Sequence, residues 1–435
     1  MRASALLALL ALASACGDDG EERVAIPCSI AEESCRRAIF GLTARLRNQR
    51  SARMPPSRII TREQYAQEAR QEIAMQMSRP IDLQYEASLR LLNFLPAGTT
   101  GSEAIVESNI AGVAAYYAHD TKAVTIVADA AEDEGEGSLT LSHEYTHALQ
   151  DEREGLQELA SRAFSTDQIM AELTLVEGEA TILSDAVMAE ARGLDYDYAG
   201  LVSPALDRLL SSFLMDVAES PAPFTEAQLG LPYPIGGRPL AIAYSQRGYA
   251  GVAPYFQAWP DTLAEWIDPA RANLPVAQRC LYPDPPAAYQ RIVLDSYGAT
   301  GLIALEVVLG ADGPTAYDRA RAWTADSMAV FAPLDQSIQA AIAWRITLGS
   351  AVAAQALLAR LQATPLGLLA VLQNNDVVIT AASAPGVLQG WTVRDDCSTS
   401  KALEAPQALW KHPPKYLLSL ARARGAEGGI RTRTP

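Results

Sequence analysis

Hydrophobic residues in the first third of the chain recur at two different spacings. Spacings of three and four predict helices over residues 30–50, 61–77 and 82–94. Residues 112–118 and 123–128 are rich in Val, Ile, Tyr and Ala and flank a polar turn, which predicts a β-hairpin. The pattern therefore changes from helix to strand before residue 130.

Two long helical patterns follow the hairpin. Ser138 is suited to cap the start of the first helix, with an acidic run in the loop before it, and Gly155 is suited to end it. Ser165 and Gln168 form a capping box that starts the second helix, which we expect to run to about Arg192. The short connection predicts that the two helices pack antiparallel.

The rest of the pattern predicts a mostly helical chain with a few breaks and strands. A loop-rich middle is expected at 221–239 and a break at 283–286. Alanine-rich helices are expected at 296–309, 316–321 and 337–361. A strand is expected at 328–331, and a second hairpin at 376–381 and 387–393. The predicted fold class is α+β and predominantly helical, with a small hairpin sheet beside the first long helix.

Composition and charge narrow the function classes. The 435 residues are 49% hydrophobic and 20% charged, which allows a large core and excludes a disordered chain. A formal net charge of −16 argues against binding nucleic acid through its phosphates. We assign one domain to residues 25–400, with its core at 100–260 and a helical C-terminal part at 290–365. Residues 401–435 are expected to be a disordered basic tail.

Residues 1–15 have the pattern of a secretion signal, with Arg2, a short apolar run and small residues at the end. Because Cys16 comes next, the segment resembles a bacterial lipoprotein signal. Cys16 would then carry the lipid, and residues 16–24 would form a polar tether to the membrane. An ordinary cleaved signal is the alternative. Both predict export, and the lipoprotein signal predicts a membrane-anchored protein of the cell envelope, periplasmic or on the outer surface.

The four other cysteines are Cys28, Cys35, Cys280 and Cys397. An even number in an exported chain allows two disulfides. Cys28 and Cys35 are close enough in sequence to pair locally, which would leave Cys280 with Cys397. Free buried thiols are the alternative.

The sequence His143-Glu144-Tyr145-Thr146-His147 is the strongest chemical signal in the chain. On a helix, imidazoles four residues apart lie on one face, where they can bind one zinc ion. Glu144 is not needed as a ligand and can act as general base toward a water. The alternative is an amphipathic helix whose histidines are solvated or hydrogen-bonded.

A third ligand is expected from the second long helix. Antiparallel packing brings residues near position 175 level with the two histidines. Glu177 lies close to this level, and Glu172 and Glu179 are rivals about a turn away. His119 falls in the predicted hairpin turn and is not assigned as a ligand.

Other side chains could assist the site. A donor for a developing oxyanion could come from Tyr233, Tyr244 or Tyr249, and the sequence does not choose among them. Asp151 and Asp185 could each orient a histidine.

Residues 143–151, H-E-Y-T-H-A-L-Q-D, resemble the HE-x-x-HALQD signature of exported bacterial proteins, many of them lipoproteins, that are taken to be gluzincin-type zinc metallopeptidases. Residues 176–180, V-E-G-E-A, resemble their second motif, in which the glutamate before glycine is the third ligand. The resemblance covers about residues 38–361 and implies Glu177 as ligand, Zn²⁺ as cofactor and a zincin-like core. Residues 322–326, A-W-T-A-D, depart from the family's G-W-x-G-D, which leaves the role of that motif open.

We therefore expect zinc-dependent hydrolysis of peptide bonds in a peptide or protein substrate. His143, His147 and Glu177 would hold the zinc, and Glu144 would be the general base. The hairpin edge is expected to hold an extended substrate through its main chain. One alternative is a catalytically inactive zinc-binding envelope lipoprotein with a scaffold or binding role, and another is a cell-wall-binding module without metal.

Overall fold

The computed structural model describes residues 25–76, 80–100, 113–131, 133–156, 165–268, 285–384 and 386–389. The predicted signal and tether with Cys16, the residues Cys280 and Cys397, most of the predicted strand 387–393, and the basic tail lie outside these ranges. Within them, no helix combines the length and the apolar character needed to cross a bilayer.

Helices account for 56% of the structure and accompany two small sheets, which confirms the predicted α+β class with a helical majority. The α-helices of the described ranges are α1 (Glu33–Leu46), α2 (Arg62–Gln76), α3 (Pro80–Leu91), α4 (Glu134–Glu154), α5 (Thr166–Ala191), α6 (Ser203–Glu219), α7 (Pro223–Gly230), α8 (Pro232–Arg247), α9 (Tyr249–Val252), α10 (Ala264–Ile267), α11 (Gly298–Val308), α12 (Gly313–Ala320) and α13 (Ala351–Ala363). The strands are β1 (Ser57–Ile60), β2 (Ala115–Ala118), β3 (Ala123–Val127), β4 (Tyr289–Asp295), β5 (Trp323–Pro333), β6 (Ala341–Leu348), β7 (Leu369–Gln373) and β8 (Asp376–Ala382).

The first sheet has the strand order β1-β3-β2. Strands β2 and β3 are the predicted hairpin and pair antiparallel. The sequence did not reveal β1, which pairs parallel with β3, because four residues are too few to show a period. Strand β2 is consequently an edge strand, and it packs against α4.

The second sheet is antiparallel, with the order β4-β5-β6-β8-β7, and corrects two predictions. The predicted helix 337–361 is strand β6 followed by helix α13. Every residue of β6 is buried, so its sequence A-I-A-W-R-I-T-L lacks the alternation of a half-exposed strand. Strand β8 forms a hairpin with β7, which precedes it in sequence, and pairs with β6 on its other side. Both edges of β8 are therefore occupied, which corrects the hairpin predicted to begin at residues 376–381. The predicted helical part at 290–365 therefore contains three strands as well as helices.

The predicted loop-rich middle at 221–239 is also wrong, since α7 and most of α8 occupy it. Proline favours the first turn of a helix, where its missing N–H costs nothing, and both helices have proline there. Pro239 lies inside α8. Pro223 and Pro232, which suggested a loop, thus mark helix starts.

The two long helices have the expected ends except at the start of α4. Asp133, not Ser138, is the N-cap, and its carboxylate accepts two backbone N–H groups of the first turn. Ser138 is buried within α4, and its hydroxyl bonds to the backbone of Cys28. Gly155 ends α4 in the left-handed conformation, and Ser165 caps α5 through its hydroxyl, both as predicted.

Helix α1 packs against both α4 and α5. The predicted local disulfide between Cys28 and Cys35 is present and joins the segment before α1 to its first turn. Phe40 of α1 meets Tyr145 of α4 edge to face, with 5.2 Å between ring centroids. Apolar packing of this kind fixes the N-terminal helix against the histidine-bearing helix.

Three buried aspartates, Asp167, Asp295 and Asp326, lie where the start of α5 meets the second sheet. Asp295 accepts the backbone N–H of Thr166, and Asp326 accepts the indole N–H of Trp344. Burial raises the pKa of Asp167 to about 7 and the pKa of Asp295 to about 6. Both carboxyl groups therefore bind a proton more tightly in the folded chain than in the unfolded chain.

We expect Asp167→Asn to flatten the dependence of stability on pH. In the wild type the folded state keeps a proton on Asp167 that the unfolded state releases, so the free energy of unfolding falls as pH rises from about 4 to about 7. Between these two pH values Asp167 lowers the free energy of unfolding by at most about 4 kcal/mol, because a shift of one pKa unit corresponds to about 1.4 kcal/mol. Urea unfolding at several pH values measures it, with exposed Asp318→Asn as control. An unchanged slope in Asp167→Asn would show that this pKa is not raised.

Candidate metal centre

Two side chains of α4 and one of α5 converge on one point. The rings of His143 and His147 lie one turn apart on α4, with 4.7 Å between centroids. Glu177 Oε2 lies 3.1 Å from His143 Nε2 and 3.4 Å from His147 Nε2. One ligand atom from each residue lies within 4.8 Å of the others, so this group could hold a metal ion. The side chain of His143 is 12% exposed, whereas those of His147 and Glu177 are at most 1% exposed, so His143 is the member of the group that contacts solvent.

The hydrogen bonding of the three residues fits a bound cation. Among the described residues, the buried atoms His147 Nε2 and Glu177 Oε1 have no hydrogen-bond partner. Buried polar atoms are normally satisfied, and a cation at this point would satisfy both. Two imidazoles and one carboxylate form a donor set that suits zinc in catalytic sites.

The charge states also suit ligands. Burial opposes ionisation of Glu177, but the neighbouring histidines more than offset it, and its pKa lies well below the usual range. Burial lowers the pKa of His143, which favours its neutral form. A carboxylate and a neutral imidazole are the forms that bind metals.

Gln150 lies one turn after His147 and contacts its other ring nitrogen. His147 Nδ1 is 2.8 Å from Gln150 Oε1, while Gln150 Nε2 donates to Val176 O at 2.9 Å and to Glu179 Oε2 at 2.8 Å. Arg47, the C-cap residue of α1, completes this group, because its Nε donates to Glu179 Oε1 at 2.8 Å. These buried side chains connect three helices.

The two predicted partners of the histidines are placed elsewhere. Asp151 accepts hydrogen bonds from Tyr117 Oη at 2.8 Å and from Lys122 Nζ at 2.5 Å, and His119 Nδ1 lies 3.7 Å away. Asp151 therefore holds the hairpin, whose turn contains His119 as expected. Asp185 lies about two turns beyond Glu177 on α5, where burial raises its pKa to about 7.

The structure separates Glu177 from its two rivals. Glu172 accepts a hydrogen bond from Gln168 Nε2 at 3.3 Å. Glu179 pairs with Arg47. Only Glu177 of these three glutamates belongs to the group that could hold a metal.

Glu144 faces the edge strand of the first sheet. Its Oε2 accepts the backbone N–H of Tyr117 at 2.8 Å. Ala114, just before β2, accepts the N–H of Val127, and in an antiparallel pair every second residue bonds to the partner strand. Tyr116 and Ala118 therefore face β3 with their main chain, whereas the main chain of Tyr117 points away from β3. The predicted edge strand consequently lies directly beside the carboxylate that follows the first histidine.

Tyr233 is the one of the three candidate tyrosines that lies against a histidine. Its ring stacks on His143 with 5.8 Å between centroids and 19° between planes. Tyr249 lies over the guanidinium of Arg47, and Tyr244 packs against Tyr196. The structure thus places only Tyr233 at the metal centre.

Close contact between α5 and α8 brings Tyr233 to this position. A Cβ at Gly178 would lie 2.5 Å from the carbonyl carbon of Gly236, and a Cβ at Gly236 would lie 1.8 Å from Thr174 O. Both positions therefore require glycine for the two backbones to meet. The glycine of the V-E-G-E-A motif has this packing role.

We expect Gly178→Ala to destabilise the fold by about 1–3 kcal/mol, because the added methyl group forces α5 and α8 apart. Urea unfolding measures the change. Gly41→Ala in α1 is the control, since its methyl group meets no atom within 4 Å and should stabilise the helix by about 1 kcal/mol. Equal stabilities of Gly178→Ala and wild type would contradict the close crossing.

Three residues of the centre were missed in the sequence: Gln150, Arg47 and Tyr117. Gln150 lies three residues after His147, and helical spacing places it on the same face, so this signal was present. Arg47 and the main chain of Tyr117 come from distant elements and gave no local signal.

Comparisons of the chain with models of protein families, with curated proteins and with solved structures found no match.

Proposed function

We propose that this protein is an exported zinc metallopeptidase. His143, His147 and Glu177 are its metal ligands, and Glu144 is its general base. The convergence of these two imidazoles and one carboxylate is the observation that carries the proposal. Two of their buried atoms, His147 Nε2 and Glu177 Oε1, have no hydrogen-bond partner among the described residues. The resemblance to gluzincin-type metallopeptidases and the packing of α4 against α5 beside an edge strand support a zincin-like core.

A zinc ion bound by these residues would act as a Lewis acid that makes water a stronger nucleophile and polarises the substrate carbonyl. Glu144 lies on α4 next to His143, and the N–H of Tyr117 fixes one of its carboxylate oxygens. From this position Glu144 accepts a proton from the attacking water and passes it to the departing amine.

Strand β2 provides the surface for the substrate. The N–H of Tyr117 bonds to Glu144, and the main chain at Ala115 points away from β3 in the same direction, so an extended peptide can pair with this edge at Ala115. Glu144 bonds to the same edge. A peptide held there would pass directly by the general base.

The predicted location also has support. A disulfide between Cys28 and Cys35 favours an oxidising compartment, as expected outside the cytoplasm. Together with the lipoprotein-like pattern of residues 1–16, it supports a cell-envelope protein anchored to a membrane through Cys16.

Tyr233 is the proposed donor to the developing oxyanion, and we expect Tyr233→Phe to lower kcat by about 10²-fold with little change in KM. The phenyl ring keeps the stacking on His143 but loses the hydroxyl. Steady-state kinetics and zinc content measure the two effects, and Tyr244→Phe is the control. An unchanged kcat would show that the hydroxyl of Tyr233 plays no part in the reaction and that its ring only packs against His143.

The test of the proposal is the digestion of a broad peptide library by the purified full-length protein, with zinc measured by elemental analysis. We expect about one zinc per chain, and cleavage that a chelator stops and added zinc restores. Zinc without cleavage would favour the scaffold role. Purified protein without zinc, and unable to take it up, would contradict the metal site itself.

A further inference from the structure

A buried chain of hydrogen bonds runs from α1 to the metal-ligand candidate His147. Arg47, Glu179 and Gln150 are its members, and we call them the Arg47 relay. The side chains of Arg47 and Glu179 are at most 1% exposed, and Gln150 is fully buried. The proposed hydrolysis uses none of these three residues directly.

We propose that the Arg47 relay is a positioning device that holds His147 in the one tautomer able to bind a cation at the centre. This inference rests on the proposed metal site. It assigns a role to Glu179, the second glutamate of the V-E-G-E-A motif, and to helix α1.

The orientation of Gln150 follows from its neighbours. Its Nε2 lies 2.9 Å from Val176 O and 2.8 Å from Glu179 Oε2, and both of these atoms accept hydrogen bonds only. The amide oxygen must therefore face His147 Nδ1, which lies 2.8 Å away and has to donate. In a neutral imidazole, a proton on Nδ1 leaves the lone pair on Nε2, the atom that faces Glu177.

Glu179 and Arg47 hold Gln150 in this orientation. Arg47 binds both carboxylate oxygens of Glu179, through Nε at 2.8 Å and Nη2 at 3.2 Å. Its Nη1 also donates to Leu149 O at 3.0 Å, which anchors the guanidinium to α4. The pairing neutralises a buried carboxylate only two residues from Glu177 and keeps it from acting as a competing ligand.

The relay makes the N-terminal helix part of the centre. At one end of α1, the segment closed by the Cys28–Cys35 disulfide bonds to Ser138 near the start of α4. At the other end, Arg47 reaches Leu149 near the end of α4. The helix therefore fastens α4 at two points on either side of the histidines.

The same contacts could in principle stabilise the fold without affecting His147, and a matched control separates the two effects. Arg345 and Asp376 form another buried ion pair, 3% and 4% exposed, in the second sheet. Arg345→Met should lower the free energy of unfolding but leave zinc binding unchanged. Arg47→Met should lower both, because only Arg47 is connected to His147.

The first experiment is the ¹⁵N spectrum of histidine-labelled wild-type protein without metal. Only four histidines are present, and the signal of His147 is assigned by its loss in His147→Ala. We expect His147 to carry its proton on Nδ1. A proton on Nε2 would overturn the proposal.

The second experiment measures the zinc dissociation constant by competition with a coloured chelator. Gln150→Leu should weaken zinc binding by about 10- to 100-fold, as expected when the partner of a ligating histidine is lost. The swap Gln150→Glu with Glu179→Gln keeps an acceptor for Nδ1 and the net charge, and should restore much of the affinity. A dissociation constant for Gln150→Leu within about twofold of wild type would overturn the proposal.

The outcomes distinguish this inference from the proposed function. Wild-type protein that binds zinc but cleaves no peptide would contradict peptidase activity, while the relay is still judged by zinc affinity and tautomer. Wild-type protein that binds no zinc would contradict both.

Discussion

Replacing Glu144 by glutamine is expected to reduce peptide cleavage by about 10²- to 10⁴-fold, the usual contribution of a general base, while zinc content stays at the wild-type level. Glutamine has the same shape and can still accept the N–H of Tyr117, so the site should keep its structure. It cannot take a proton from water. The loss should therefore fall on kcat, measured with a peptide selected from the library digest.

Glu152→Gln is the matched control for this variant. Glu152 lies on the same helix but is exposed, so the substitution removes one negative charge without touching the centre. Wild-type kinetics are expected. Full activity and full zinc content in Glu144→Gln would disprove the assigned general base.

Glu177→Gln is expected to weaken zinc binding by at least about 100-fold, more than the loss of a residue that only supports a ligand. Glu177 is the only anionic member of the group, and the amide leaves two neutral imidazoles to hold a dication. Equilibrium competition with a chelator measures the affinity, and cleavage should be lost in parallel.

Glu172→Gln is the control for the ligand assignment. Glu172 lies on α5 more than one turn before Glu177 and is also buried, but it bonds to Gln168 rather than to the histidines. Its substitution should leave zinc affinity unchanged. Loss of zinc in Glu172→Gln together with its retention in Glu177→Gln would reverse the assignment.

The helix pair could be predicted from sequence because its signals are local. The spacing of His143 and His147 gives one face of a helix, Gly155 ends that helix, and Ser165 caps the next. These ends fix the length of the connection and so the level at which Glu177 meets the histidines. Short-range features thus predicted the level of the group that could hold a metal, and the resemblance of V-E-G-E-A to a family motif pointed to Glu177 rather than to Glu172 or Glu179.

The second sheet was predicted only in part. The expected strands at 328–331 and 376–381 lie within β5 and β8, but β6 was missed because burial on both of its faces removes the alternation that marks a strand. Strand β6 contains two alanines and precedes an alanine-rich stretch, which suggested a helix. Its eight residues are buried against neighbours from β5 and β8 that are distant in sequence. Tertiary packing overrode local propensity there.

The supporting residues of the centre form an intermediate case. Asp151 was predicted to orient a histidine because carboxylates often do so in metal sites. In the structure, however, it accepts hydrogen bonds from Lys122 and Tyr117 of the hairpin. Gln150 has the helical spacing to reach His147, yet its amide alone does not indicate a partner. Its role became visible only with Glu179 beside it.

X-ray absorption at the zinc edge of the purified full-length protein tests the central claim most directly. We expect two imidazole nitrogens and oxygen ligands at about 2.0–2.2 Å, with no sulfur near 2.3 Å. In Glu177→Gln the zinc signal should be lost. A sulfur shell, or a single imidazole around the zinc of the wild type, would contradict a site built from His143, His147 and Glu177.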